Sequence, residues 1–261
     1  MREIVVIGVG AGDPEQVTMQ AVSALNRVDV VFVLDKGEVK QELVDLRSEI
    51  LRRYAKDCRV VVGQDPERDR TTSAYVEAVD DWRRRRADVI AAMIAAELGE
   101  DQVGAFLVWG DPSLYDSTLA ILDDILARGE LAFEVEVIPG ISSVSTLAAR
   151  HRVGLNQVGR PIQITTGRRL AKAWPEDVDD VVVMLDAQTA FTSYVDEDAE
   201  IYWGAYLGTP DELLISGPLR EVAAEIEKVR AEARDRKGWI MDTYLLRRQR
   251  TEGRSRAGRA E

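Results

Sequence analysis

Through the first 150 residues the apolar positions come in short unbroken runs, separated by stretches where they recur every three or four residues. The runs "EIVVIGV" (3–9), "VDVVFVL" (28–34), "RVVVG" (59–63), "VGAFLVW" (103–109) and "FEVEVI" (133–138) have the length and β-branched content of strands. Helical periodicity covers 18–27, 37–54, about 73–98, 113–128 and 141–150. Strands that are apolar on both faces and joined by helices predict a parallel sheet covered on both sides.

After "HRVGLNQVGRP" the texture changes. "PIQITTG", "DVVVMLDA", "EIYWGAYLG", "ELLISGPL" and "GWIMDTYLL" are strand-like with fewer helical stretches between them. They predict an α+β domain with a mixed or antiparallel sheet. The expected organisation is an N-terminal α/β domain over 1–155, a linker within 153–160, a C-terminal domain over 160–248, and a solvated, disordered Arg-rich tail over 249–261.

A chain of 261 residues suffices for one large or two medium domains with a real core. Hydrophobic residues make up 46% and charged residues 31%, the balance of a soluble globular protein. No apolar run reaches the roughly 20 residues of a membrane span. The first strand begins too early to leave room for a signal peptide, so a cytoplasmic location is expected. Cys58 and His151 are the sole cysteine and histidine. That excludes an internal disulfide and a thiolate metal cluster, argues against zinc, and leaves a Ser-His-Asp triad one candidate base. The net charge of −12 argues against a nucleic-acid binder. Four consecutive arginines at 83–86 sweep around a helix, so some leave its polar face; a solvated or subunit-facing surface is expected, with carboxylate contact as the alternative.

Three loops follow predicted strands, and in open parallel sheets ligands bind at the carboxyl edge. "GVGAGDP" has the first two glycines of a dinucleotide fingerprint, but Asp13 stands where the third belongs and would repel a diphosphate. "WGDPSLYDST" offers Gly110 for a tight turn and Asp111 to receive backbone donors or a ligand. "VIPGISSVST" turns at Pro139-Gly140 and places Ser142 and Ser143 at a helix start. Each loop alone is also explained by turn and cap chemistry; three on one edge are not.

Taken in order, G-x-G-x-G-D-P, G-D-P-x-x-Y-x-S-T and I-P-G-I-S-S closely resemble the tetrapyrrole (corrin/porphyrin) methylase family, over nearly the whole chain. The resemblance implies two α/β domains, the N-terminal one with a parallel sheet and the C-terminal one with a mixed sheet, and an active-site cleft between them. It implies S-adenosyl-L-methionine as cofactor, S-adenosyl-L-homocysteine as product, a tetrapyrrole (precorrin) substrate and a homodimer. Exposed-looking aromatics in "EIYWGAYLG" fit the last expectation. "VLDKGEVKQELVDLR" and "YWGAYLGTPDE" look most like the branch that methylates ring carbon C1 and releases an acetyl group as acetate.

The same resemblance assigns cofactor contacts to Ala11, Gly110, Asp111, Leu114, Ser142, Ser143, Leu185, Asp186, Ala205, Tyr206 and Leu207. Ala11 and Asp186 depart from the residues usual in the family. Asp13 either faces substrate or caps the first helix. Asp35, ending the second strand beside the Asp13 loop, matches an aspartate that acts as a base in some relatives; the other reading is a helix cap. Activating water for deacetylation would use Asp35, with Lys36 or Tyr115 as donor. Arg152 and Arg168 are candidates for substrate carboxylates, as are Arg169 and Lys172. Trp109 and Tyr115 either stack on a macrocycle or pack in the core. His151 reads as a cation at a helix C-terminus. Other members of the same fold act on proteins or ribosomal RNA, and a dinucleotide-dependent oxidoreductase is the alternative from a different class.

Overall fold

Valine- and isoleucine-rich strands β1 (Glu3–Gly8), β2 (Val30–Asp35), β3 (Arg59–Gln64), β4 (Val103–Val108) and β5 (Glu134–Ile138) form an all-parallel sheet in the order β3-β2-β4-β1-β5. This is a computed structural model and describes residues 1–35, 41–67 and 75–249. Helices α1 (Met19–Leu25) and α2 (Gln41–Tyr54) cover one face; α3 (Tyr75–Glu97) and α4 (Thr118–Ala127) cover the other. Alternate residues of β1 divide between the faces: Val5 and Ile7 pack with Ala21, Leu25 and Ile50, and Ile4 and Val6 pack with Ile90, Ile94 and Ile121. The central strands β2, β4 and β1 are largely buried, which is why they read as unbroken apolar runs, while the edge strands β3 and β5 leave Val60, Val62, Val135 and Val137 exposed.

The second sheet has the order β6-β7-β10-β8-β9, from β6 (Ile162–Thr166), β7 (Asp180–Met184), β8 (Ala199–Ala205), β9 (Leu213–Pro218) and β10 (Asp242–Arg248). Only β6 and β7 run parallel; the other pairs are antiparallel, so the sheet is mixed. Helix α5 (Ser143–His151), the short α6 (Gly167–Leu170) and the long α7 (Leu219–Lys237) complete the chain. The helix α7 was not expected from the sequence. Its stripe of Leu219, Ala223, Ile226, Arg230 and Ala233 keeps helical spacing but is narrow and interrupted by an arginine. Gly238 ends it in a left-handed conformation, φ 74°.

The chain divides into two units, Met1–Ser143 and Val144–Glu261. The division falls ahead of the 155–160 boundary expected from the sequence, so most of α5 groups with the second unit. Among the described residues, no helix is long and apolar enough to cross a membrane.

Candidate active site

Strands β1 and β4 are neighbours in the first sheet, yet the chain leaves β1 for α1 on one face and β4 for α4 on the other. Such a switch point opens a crevice at the carboxyl edge. The two loops are joined there by an isolated bridge: the Gly110 N–H donates to Gly10 O at 2.8 Å, and the Gly10 N–H to Gly110 O at 3.4 Å. Behind them, Gly8, Gly110 and Gly140 meet backbone to backbone. A Cβ on Gly140 would lie 2.0 Å from Gly110 O, and one on Gly8 would lie 2.5 Å from the Gly140 nitrogen. The glycines of the first loop therefore serve close packing of three chain segments.

They do not form a phosphate cradle. The N–H groups of Val9, Gly10, Ala11, Glu15 and Gln16 go to Val108 O, Gly110 O, the Gln16 side-chain oxygen, the Asp13 carboxylate and Asp13 O. With those donors committed internally, a diphosphate finds no nest, and the dinucleotide reading falls. Asp13 caps the 3-10 turn Pro14–Gln16, accepting from the Glu15 N–H at 2.9 Å. Thr18, not Asp13, caps α1, accepting from the Ala21 N–H at 3.1 Å.

Asp111 ties the second loop to the third. One carboxylate oxygen accepts from the Gly140 N–H at 2.9 Å; the other accepts from the Ser113 N–H at 2.8 Å and from the Ser113 hydroxyl. Desolvation opposes ionisation, but the bonds from Ser113 and Gly140 hold the carboxyl below its ordinary range. Gly110 packs against the backbone of Ser142 and Ser143 at the start of α5, and Ser142 is buried. Leu114 is half-buried in the same loop as Gly110. Tyr115, 48% exposed, holds a left-handed backbone, φ 52°. The helix expected from residue 113 starts at Thr118, because this turn occupies the intervening residues.

Asp35 ends β2 at the same edge and is exposed. Strand β4 lies between β1 and β2, so Asp35 borders the Tyr115 loop rather than the Asp13 loop. Lys36 lies outside the described residues. Of the four consecutive arginines, 83–85 are exposed and Arg86 turns inward to an ion pair with Asp65, 3.0 Å.

In the second unit, Leu185 directly follows β7 and is 63% exposed with φ 54°. The Asp186 carboxylate turns the other way. It accepts from the Gln188 N–H (2.9 Å), the Ala190 N–H (2.6 Å) and the Tyr244 hydroxyl (2.6 Å). The Arg230 guanidinium donates to Asp186 O at 2.5 Å and to the Asp242 carboxylate at 2.8 Å, and the Trp203 indole donates to Asp242 at 3.1 Å. Burial pushes the Asp242 carboxyl up, with Arg230 opposing. It also pushes up the Tyr244 hydroxyl, reinforced by Asp186. This network, which the sequence reading missed, fixes the ends of β7, β8 and β10.

Ala205, Tyr206 and Leu207 are buried at the end of β8. Tyr206 is left-handed, φ 49°, and its hydroxyl donates to Trp239 O at 2.6 Å. Trp203 is 0% exposed. The aromatics of "EIYWGAYLG" that looked exposed are thus interior, apart from a half-buried Tyr202, because their strand lies inside the sheet beside β10. His151 is not simply a cation at a helix end: its Nε2 bonds Trp203 O at 3.0 Å and its ring meets Tyr202 edge-on. Arg152, left-handed at the end of α5, and Arg168 and Arg169 on α6 are exposed.

A sulfonium cofactor fits this edge better than a diphosphate does. It needs carbonyl oxygens and close backbone approach, and the first loop is acidic with the N–H groups of Val9, Gly10, Ala11, Glu15 and Gln16 engaged internally. The family model for Tetrapyrrole (Corrin/Porphyrin) Methylases matches residues 3–223. The chain is 52% identical over 250 residues to a precorrin-6A synthase [deacetylating] from Sinorhizobium sp, covering 95% of this chain and 96% of that protein. It is 30% identical to a precorrin-2 C(20)-methyltransferase from Sinorhizobium sp, over 68% and 71% of the two chains. A crystal structure of a cobalamin synthesis related protein (CobF) from Corynebacterium diphtheriae superposes with a TM-score of 0.84 and 40% identity, covering 95% of this chain and 99% of that one. A uroporphyrin-III C-methyltransferase from Thermus thermophilus, complexed with S-adenosylhomocysteine, shares the fold with a TM-score of 0.58 and 19% identity over 94% and 91%. With the three signature loops converging on one switch point, the chain belongs to the tetrapyrrole (corrin/porphyrin) methylase family.

Proposed function

We propose that this protein is a precorrin-6A synthase of the deacetylating type, an S-adenosyl-L-methionine-dependent C-methyltransferase of cobalamin biosynthesis. It methylates C1 of precorrin-5 and releases acetate, giving precorrin-6A. The observation that carries this reading is 52% identity along almost the whole length of both chains to a relative of that name. Bound S-adenosylmethionine supplies a methyl group made electrophilic by the sulfonium. The residues proposed to hold it are Ala11, Gly110, Asp111, Leu114, Ser142 and Ser143 in the first unit, and Leu185, Asp186 and Ala205–Leu207 in the second.

The chain's own contribution is positioning. The bridge between Gly10 and Gly110 and the bond from Gly140 to Asp111 fix three loops at one edge, and a fixed approach geometry is worth several kcal/mol in a displacement at carbon. Acetate release needs water to add to the acetyl carbonyl and the carbon–carbon bond to the ring to break, its electron pair passing to the ring. Asp35, exposed at the end of β2, is the proposed base on that water, with Lys36 or Tyr115 as donor to the carbonyl oxygen. Asp13, Arg152 and Arg168 are the proposed substrate contacts. A cytoplasmic homodimer is part of the proposal and rests on the family alone, since the aromatics of β8 are interior. Light scattering that finds a 29.1 kDa monomer would remove the dimer.

The test is incubation with precorrin-5 and methyl-labelled S-adenosylmethionine. One labelled methyl and one acetate per product molecule are expected; transfer to another ring carbon, or no acetate, would overturn the assignment. Asp35→Asn separates base from cap. Loss of a positioned base lowers acetate release on the order of 10² to 10⁴-fold with cofactor binding intact, whereas Asn replaces a cap almost without loss.

A further inference from the structure

A second arginine turns inward near Arg86. Arg86 is held on three sides: by Asp65, by the Ser117 hydroxyl, which accepts from it at 3.2 Å, and by the Trp82 ring, whose centre lies 4.9 Å from the guanidinium carbon. Arg47, on α2, comes from the helix layer on the opposite face of the sheet and has no such arrangement. Its Nε is buried with no hydrogen-bond partner, and it makes no ion pair with the described residues. Desolvation depresses its pKa; Asp116 opposes that and Arg86 adds to it. At the same edge, the Trp109 indole N–H, one residue past β4, is also buried without a partner.

Both orphaned groups are pure donors. A cation or a hydrogen-bond donor would leave them unsatisfied, whereas a carboxylate supplies the missing acceptors and matches the guanidinium fork. An unsatisfied buried donor is unfavourable in the free protein, so Arg47 is poorly accounted for as a structural residue.

We propose that Arg47, steadied by the ion-paired Arg86 beside it, is a receptor for one carboxylate arm of the tetrapyrrole substrate at the carboxyl edge of the first sheet. The identity of the arm rests on the precorrin reading given above; the carboxylate chemistry rests on the orphaned donors. The receptor orients the macrocycle from a peripheral group, away from the reacting carbon, and so acts on binding and not on the chemical step.

The experiment compares wild type, Arg47→Met and Arg47→Lys, each saturated with S-adenosylhomocysteine. Uroporphyrin, a stable polycarboxylate tetrapyrrole, is the binding probe, followed by tryptophan fluorescence; melting temperature, cofactor affinity and precorrin-5 kinetics are measured alongside. Arg47→Met is expected to weaken uroporphyrin roughly 10- to 100-fold, the range of one charge-assisted hydrogen bond. KM for precorrin-5 should rise by a similar factor with kcat little changed. Cofactor affinity should stay within about twofold, and the protein should melt no lower than wild type, since a desolvated unpaired charge has been removed. Arg47→Lys keeps the charge without the fork and should lose less. Unchanged uroporphyrin affinity in Arg47→Met overturns the proposal, as does a wild type that binds no uroporphyrin. A loss of affinity that only follows a loss of melting temperature also overturns it. Arg47-dependent uroporphyrin binding by a wild type that never methylates precorrin-5 would keep the receptor and sink the assigned reaction.

Discussion

Gly140→Ala tests whether the three loops are held by backbone contact. Gly140 is not among the glycines with positive φ, so an L-residue fits its backbone and the whole effect must come from contact. The new methyl would stand 2.0 Å from Gly110 O and 2.8 Å from the Gly8 Cα, where ordinary contact begins near 3.4 Å. Neither neighbour is a flexible side chain. Gly110 O also accepts from the Gly10 N–H, and the Gly140 N–H donates to Asp111, so separating the loops strains both links. Overpacking of this kind costs about 1–3 kcal/mol, and each of the two weakened hydrogen bonds adds about 0.5–1.5 kcal/mol, giving roughly 2–6 kcal/mol in all. At about 2–4 °C per kcal/mol for a chain of this size, the melting temperature should fall by at least about 4 °C. S-adenosylhomocysteine affinity should fall at least about tenfold, because the displaced loops are the proposed cofactor loops. The control is Gly129→Ala. That residue is left-handed, φ 70°, with nothing within 4 Å of the added carbon, so it should cost about 1–2 kcal/mol from backbone strain and leave cofactor affinity unchanged. Calorimetric melting and isothermal titration read both quantities. A Gly140→Ala protein that melts and binds cofactor like wild type would refute the packing account.

Asp111→Asn should cost about 1–3 kcal/mol at neutral pH by disturbing the bond to the Gly140 N–H. An unfolded aspartate titrates near 3.9 and the folded carboxyl lies lower, so its stabilisation is complete above that value and is lost as pH falls through the folded one; urea denaturation should show the wild-type advantage closing only below about pH 4. Arg230→Met leaves Asp242 buried without its cation and should cost about 3–5 kcal/mol. Because the Asp242 carboxyl is already raised, the variant should lose further stability as pH rises, which denaturation at acid and alkaline pH checks. Leu185→Gly should relieve the left-handed strain of an exposed leucine, stabilising by about 1 kcal/mol, yet weaken S-adenosylhomocysteine severalfold if Leu185 contacts the cofactor.

The first sheet was legible because its central strands are buried and helical connections separate its strands, which together fix strand number and parallel direction. Its order was not, since the insertion of β4 between β1 and β2 depends on long-range pairing, and it moves Asp35 from the Asp13 loop to the Tyr115 loop. The loops at 8–14, 110–118 and 138–143 could be found from turn chemistry, and Asp111 could be expected to receive backbone donors, but not the distant partners Gly140 of Asp111 and Tyr244 of Asp186, which only the fold brings near. Helix α7 escaped because Arg230 stands in its apolar stripe, and the reason for that arginine, Asp242, lies beyond the helix. Aromatics in "EIYWGAYLG" were misplaced for a related reason: alternation along a strand does not tell which strands will flank it.

Asp111 and Asp186 use one device twice. Each follows a strand of a different sheet, each turns its carboxylate inward onto backbone N–H groups, and each has a left-handed non-glycine residue nearby, Tyr115 and Leu185. Strained turns persist where surrounding bonds over-determine them, and here the carboxylates supply those bonds. With both carboxylates engaged internally, the hold proposed for these two residues is a backbone one, and a substitution at either aspartate should act on ligand affinity through the turn and not through a lost side-chain contact. The distinction is measurable: across a series of variants at Asp111 or Asp186, affinity for S-adenosylhomocysteine should track melting temperature. At Leu185 the two should move in opposite directions. If Asp111 variants instead lose cofactor while keeping full stability, the carboxylate touches the ligand directly, and its bond to Gly140 is incidental.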